Sequence, residues 1–178
     1  PLSGTELTRT ALAEEYAGAP IALDEQAREH IRWLTETEDI APPARLEAEL
    51  RPYQQRGFAW LYRNARTGLG SILADDMGLG KTLQTLAAIQ RLKEDKALEQ
   101  AKALLIVPTS LLTNWQREAA RFAPALSVTV YHGVRRSLRA DQDFDVVLTT
   151  YGTARRDAAG LKRHTWRLLV VDEAQNVK

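Results

Sequence analysis

The chain has 178 residues, of which 44% are hydrophobic, and it carries three histidines and no cysteine. That length suits one compact domain with a sizeable core, and the absence of cysteine excludes disulfides and thiolate zinc sites, while His30, His132 and His164 are too scattered for a metal cluster. The longest apolar runs are of strand length and no charged-then-apolar leader opens the chain, so a helical membrane span is excluded and a cytoplasmic place is expected.

In chain order, Thr5 to Ala17 and Asp24 to Glu38 read as helices, the second with Ala27, Ile31 and Leu34 along one side. Ala41-Pro42-Pro43 then breaks the pattern, so residues 1–44 are expected to be a helical preface and linker and residues 45–178 the main domain. The net charge of +1 divides along the same line: residues 1–50 hold 11 acidic and 4 basic side chains, residues 51–178 hold 12 and 20. Ser71-Ile72-Leu73-Ala74 reads as a short buried strand, followed by Asp75 to Thr82 (DDMGLGKT) and by a helical pattern through Leu83, Leu86, Ala87 and Ile89. Strand, glycine loop and helix in that order are what a triphosphate requires. Gly78 and Gly80 let the backbone curl its N–H groups inward, Lys81 adds a charge for the β and γ oxygens, and Thr82 is the candidate ligand for magnesium. The helix N-terminus adds partial positive charge beneath the phosphates. One departure from the general GxxxxGK[ST] pattern stands out, since the first glycine position is Asp75.

Further strands are expected at 103–107, 127–132, 145–150 and 167–172, alternating with helical segments. Strand-helix alternation implies an α/β fold, a mostly parallel sheet covered on both faces. Thr109 and Ser110 follow the first of these strands, and their hydroxyls are placed to cap the helix carrying Leu111, Trp115, Ala119 and Phe122, with Trp115 on its core face. The last strand, Leu168 to Val171, ends abruptly in Asp172 and Glu173. In parallel sheets ligands sit at the carboxyl ends of the strands, so Asp172 is the candidate magnesium residue and Glu173 the group that orients and deprotonates a water. The arginines concentrated late in the chain, among them Arg135, Arg136, Arg139, Arg155 and Arg156, read as a solvated face or a phosphate surface.

Together the segments LRPYQQRGFAWL (Leu50 to Leu61), DDMGLGKT, LLIVPTSLLTNWQREAARF (Leu104 to Phe122), DVVLTTYGT (Asp145 to Thr153) and VVDEAQNVK (Val170 to Lys178) resemble helicase superfamily two. More narrowly the chain is similar to SWI/SNF-type DNA translocases, especially their bacterial RapA-like members, over roughly residues 45–178; that family commonly has an acidic residue where this chain has Asp75. The resemblance implies a RecA-like ATP-binding lobe in which Asp76, Met77, Gly78, Leu79, Gly80, Lys81 and Thr82 cradle the phosphates. Gln54 would read the adenine edge, Lys81 and Glu173 would act in hydrolysis, and Thr82 and Asp172 would hold Mg2+. Gln175, where relatives often have histidine, would couple the site to a later motif, and Thr109, Ser110, Thr149 and Thr150 would meet a nucleic-acid backbone. The implied partners are double-stranded DNA, a second RecA-like lobe carrying the arginine fingers, and a transcription or other DNA-bound complex on a bacterial nucleoid. A chain that opens at Pro1 and stops just beyond the DEAQ box is expected to come from a longer protein. Strand-separating helicases and non-catalytic docking scaffolds are the alternatives, distinguished by the response to duplex DNA and by ATP binding.

Overall fold

A computed structural model of the protein describes residues 15–16, 19–20, 22, 24–25, 40–76, 78–138 and 143–177. Near the N-terminus β1 (Glu15–Tyr16) and β2 (Ala19–Pro20) pair antiparallel, Glu15 opposite Pro20 and Tyr16 opposite Ala19. The helix expected over Thr5 to Ala17 is thereby corrected at its C-terminal end. A glycine and a proline within five positions favour chain reversal over helix propagation. The rest of that helix, and Asp24 to Glu38 beyond its first two residues, lie outside the described residues.

The main unit begins with α1 (Pro52–Thr67), which has a proline in its first turn, where no intrahelical N–H bond is lost, and stops at Gly68 with φ 76°. After it come α2 (Lys81–Glu94), β3 (Lys102–Val107), a 3-10 turn (Thr109–Leu111), α3 (Leu112–Phe122), β4 (Val128–Tyr131), β5 (Val146–Thr150), α4 (Tyr151–Arg156), α5 (Ala158–Leu161), β6 (Trp166–Val171) and a second 3-10 turn (Ala174–Asn176). The four longer strands form one sheet in the order β4-β5-β3-β6, every pair parallel. Alternation along β3 separates the layers: Ala103, Leu105 and Val107 join Phe58, Leu86, Ile89 and Trp115 in the larger core, whereas Leu104 turns to Phe144, Val147 and Leu161 on the other face. Helices α1, α2 and α3 cover the first face, and α4 and α5 lie against the second. Each fully buried leucine or isoleucine here contributes roughly 1.5–3 kcal/mol.

Two contacts set the orientation of α2. Near its C-terminal end Lys93 Nζ donates to Asp145 Oδ2 at 2.6 Å, and Asp145 immediately precedes β5. The helix is thus tied to the amino edge of the sheet, and its 14 residues, about 21 Å at 1.5 Å per residue, run back toward the carboxyl edge. Against α1 it packs so closely that a Cβ on Gly57 would fall 1.8 Å from Gln84 Oε1. A glycine inside a helix is otherwise unfavourable, and this approach accounts for it.

The strand expected over Ser71 to Asp75 does not form. Residues 71–76 take no ladder bond, and Ile72 is 87% exposed. Its run of apolar residues is short; Asn64 Nδ2 donates to Ser71 Oγ at 2.8 Å and Lys81 Nζ to the Asp75 carbonyl at 2.6 Å, holding the segment as a loop against α1 and α2. The other expected strands are present, their ends moved by one residue or so. Among the described residues no helix is long and apolar enough to cross a membrane.

Candidate functional site

The glycine loop runs into the N-terminus of α2. Gly78 and Gly80 have φ 86° and 77°, left-handed values that a side chain rarely tolerates, and Gly80 is the N-cap. No side chain caps this end, so the first-turn N–H groups are left to meet an anion. Lys81 donates to the carbonyls of Asp75 (2.6 Å) and Asp76 (3.0 Å), folding its ammonium back over the loop, and Thr82 follows in the first turn. Met77 lies outside the described residues. The Leu79 carbonyl, between the two glycines, accepts from Gln54 Nε2 at 3.2 Å, while Gln54 Oε1 accepts from the Arg51 N–H at 3.0 Å. Each half of the buried Gln54 amide therefore retains one N–H or one lone pair. A Cβ on Gly80 would come within 2.5 Å of Gln54 Nε2, so glycine is required on two grounds there. Beside the loop opens a cleft of about 490 Å³ lined by Tyr53, Arg56, Trp60, Leu73, Asp75 and Leu79. Uncapped helix N–H groups, a primary ammonium and an open surface at Gly78 form a donor set that suits a polyphosphate.

Gln84 was not singled out by sequence. It is fully buried in α2, its Nε2 faces Asp75 Oδ2 at 3.4 Å, and its Oε1 has no partner. A polar residue amid the apolar positions of the helix was the only signal. Asp75, the departure from the general loop pattern, thus has a nearby donor for its carboxylate.

At the carboxyl end of β6 the ladder continues one residue, with the Asp172 N–H donating to Ile106 O at 2.9 Å. Both oxygens of the Asp172 carboxylate have a donor: Oδ2 accepts from the Trp115 indole N–H at 2.8 Å, and Oδ1 from the Glu173 N–H at 2.9 Å. About two lone-pair positions remain for a cation or its waters. Glu173 has φ 52°, a left-handed conformation that costs a residue with a Cβ roughly 1–2 kcal/mol. Tyr151 clamps it, since its hydroxyl donates to the carbonyls of both Asp172 and Glu173. Burial, then the Asp172 and Glu173 carboxylates, push the Tyr151 hydroxyl above its usual range, which keeps it a donor. Gln175 is exposed and its amide donates to Glu173 Oε2. Among the described residues no three His, Asp or Glu side chains converge, so a metal here would depend on Asp172, Thr82 and the ligand's own oxygens, which is how Mg2+ is commonly bound.

Trp115 is in the core, 4% exposed, as its helical position implied, but its bond to Asp172 was not foreseen. The candidate nucleic-acid residues divide. Thr109 and Ser110 are exposed in the 3-10 turn after β3, and neither hydroxyl caps α3, so the capping role expected for them is not taken up. Thr149 and Thr150 are 0% and 3% exposed. The Thr149 hydroxyl donates to Tyr131 O at 2.7 Å, and the Thr150 hydroxyl accepts from the Thr153 N–H at 3.4 Å as the cap of α4. Both hydroxyls are committed within the protein.

Residues 53–178 match the family described as the SNF2-related domain. YwqA of Bacillus subtilis (strain 168), provisionally named an ATP-dependent helicase/translocase, is 42% identical over 172 residues, covering 92% of this chain and 18% of YwqA. The ISWI chromatin-remodeling complex ATPase ISW2 of Saccharomyces cerevisiae is 40% identical over 137 residues, covering 73% of this chain and 12% of ISW2. The solved SWI2/SNF2 ATPase core of Sulfolobus solfataricus in complex with dsDNA is 43% identical with a TM-score of 0.71, covering 79% of this chain and 29% of that one. The chain therefore spans less than a fifth of the two curated relatives. With its parallel sheet, its glycine loop before α2 and its carboxylates after β6, it has the RecA-like lobe of the SWI2/SNF2 ATPase core and belongs to the SNF2-related domain family.

Proposed function

We propose that residues 45–178 are the ATP-binding part of the first RecA-like lobe of an ATP-dependent translocase on double-stranded DNA, working with Mg2+ and a second lobe. The observation that carries this is the uncapped N-terminus of α2 with Lys81 and Thr82, directed to the same edge of the sheet as Asp172 and Glu173. The duplex is supported by the relative solved in complex with dsDNA.

On this reading the loop N–H groups and Lys81 take the β- and γ-phosphates, with the Lys81 ammonium exchanging the Asp75 and Asp76 carbonyls for phosphate oxygens. The remaining N–H and lone pair of Gln54 face the adenine edge, so one side chain senses both the base and the Leu79 carbonyl of the loop. Thr82 and Asp172 would hold Mg2+, which supplies neutralisation of charge on the phosphates. Glu173 orients a water toward the γ-phosphate and accepts its proton. Gln175, bonded to the Glu173 carboxylate, fixes which way that carboxylate faces.

Calorimetric titration of Mg-ATP into the folded protein tests the loop assignment. Lys81→Ala should lose a charge-assisted bond and weaken binding by roughly 1.5–3 kcal/mol, or about ten- to a hundredfold. Equal affinity in the two proteins would remove the loop from the nucleotide site.

A further inference from the structure

The segments that follow β3 and β5 at the carboxyl edge of the sheet each send one aromatic side chain to the carboxylate box. Trp115 stands in the first turn of α3, directly after the Thr109–Leu111 turn, and its indole N–H reaches Asp172 Oδ2 at 2.8 Å. Tyr151 directly follows Thr150, and its hydroxyl donates to the carbonyls of Asp172 and Glu173. These carbonyls lie on either side of the Glu173 α-carbon, so one hydroxyl restrains the backbone rotations that set the left-handed conformation of that residue. We propose that Trp115 and Tyr151 are positioning residues that couple duplex engagement at the exposed Thr109 and Ser110 after β3 and the exposed Arg155 and Arg156 of α4 to the placement of Asp172 and Glu173.

Three observations carry this assignment beyond packing. A buried indole N–H needs only one acceptor, and here it takes a carboxylate on another strand rather than a local carbonyl. Tyr151 gives its hydroxyl to the box although it opens a helix whose cap is supplied by Thr150. Both contacts converge on two consecutive residues, the second of them in a conformation that needs outside support. A small shift of the 109–111 turn or of the Thr150–Tyr151 step changes the Asp172 rotamer or the Glu173 backbone directly, with no intermediate residue. The route differs from the one through Gln175, which touches only the Glu173 side chain.

The inference rests on the proposed function, and the test separates the two. In the intact protein, Trp115→Phe and Tyr151→Phe each delete one hydrogen-bond donor and keep an aromatic ring. For each variant one measures Mg-ATP affinity, duplex-DNA affinity, the KM for ATP, the ratio of DNA-stimulated to unstimulated kcat, and the Mg2+ concentration giving half-maximal stimulated rate. The expected result is KM and both affinities within about twofold of wild type and a stimulation ratio lowered about five- to tenfold, the size of an ordinary coupling between sites. Trp115→Phe should also raise the half-maximal Mg2+ concentration, because its carboxylate contact bears on the metal residue; a merely structural change would not move that midpoint selectively. Wild-type stimulation ratios in both variants overturn the coupling while leaving the proposed function standing. A wild-type protein that binds Mg-ATP but gains nothing from duplex DNA overturns the translocase reading instead. Should Trp115→Phe prove too unstable to purify, Tyr151→Phe decides alone, since it removes a hydroxyl without opening a cavity.

Discussion

At the scale of single residues, the side chains of the candidate site were legible and their supports were not. Asp172 and Glu173 announce themselves because two carboxylates end an apolar run abruptly, whereas the Trp115 bond to Asp172 joins positions 57 apart and needs the fold to be seen. Glu173 exerts its proposed effect at the chemical step and contributes little to holding nucleotide. Glu173→Gln in the intact protein should therefore keep ATP affinity within about threefold and lower turnover by about a hundredfold or more, the usual scale of general-base catalysis. Hydrolysis at the wild-type rate by the purified variant would take Glu173 out of the mechanism. Gly57 makes a different kind of claim, since its Cβ would overlap Gln84 Oε1. Gly57→Ala should destabilise by about 1–3 kcal/mol, and Gly57→Ala combined with Gln84→Ala should cost less than the two separate losses added together. Strict additivity in thermal unfolding would refute the close contact.

Elements came out of the sequence in proportion to how far their identity depends on neighbours. Strands β3, β5 and β6 lie within a residue or so of their expected limits, because a buried parallel strand is written in its own apolar run. Ser71 to Asp75 has a shorter run, yet strand status needs a ladder partner, and no described strand pairs with it. Helix α2 is fixed at its C-terminal end by two acid contacts, Lys93 to Asp145 and Glu94 to the N–H groups of Ala44 (3.0 Å) and Arg45 (2.9 Å). Burial pushes the Glu94 carboxyl up, but those N–H groups and the Gln90 amide outweigh it and hold the group below the usual carboxylate range. A carboxylate with a depressed folded value stabilises fully above its unfolded pKa, about 4.3, and loses that contribution as pH falls through the folded value. The stability gap between the protein and Glu94→Gln should thus be constant near neutrality and shrink as pH falls below about 4.3. Denaturant unfolding at stepped pH measures it, and a gap independent of pH would show that the charge on Glu94 does not tether the 44–45 segment.

Across the whole molecule, the sheet gathers its chemistry at one edge and leaves the other to structural contacts. The α2 N-terminus is directed to the carboxyl edge, and the 109–111 turn, Tyr151 and the carboxylate box stand there, while Lys93 and Asp145 lock the amino edge. That separation was readable from strand-helix alternation, whereas the absence of any further strand beyond β6 among the described residues was not. The chain covers 29% of the solved ATPase core that it resembles. On the proposed reading, charge developing on the γ-phosphate is met by arginines of a second lobe, a contribution of about 10³ to 10⁵ in rate. Residues 1–178 on their own should therefore bind Mg-ATP yet hydrolyse it slowly. Duplex DNA can reach the exposed Thr109 and Ser110 and the exposed Arg135, Arg155 and Arg156, but the Thr149 and Thr150 hydroxyls are occupied. Contact of that kind is phosphate neutralisation, weak and steeply dependent on salt, and it cannot draw two lobes together. Phosphate release by the purified 178-residue chain, with and without duplex DNA at low and moderate salt, provides the measurement. Slow release that duplex DNA leaves nearly unchanged is expected, and brisk turnover stimulated many-fold would mean that these residues hold a complete hydrolytic site, against the two-lobe reading.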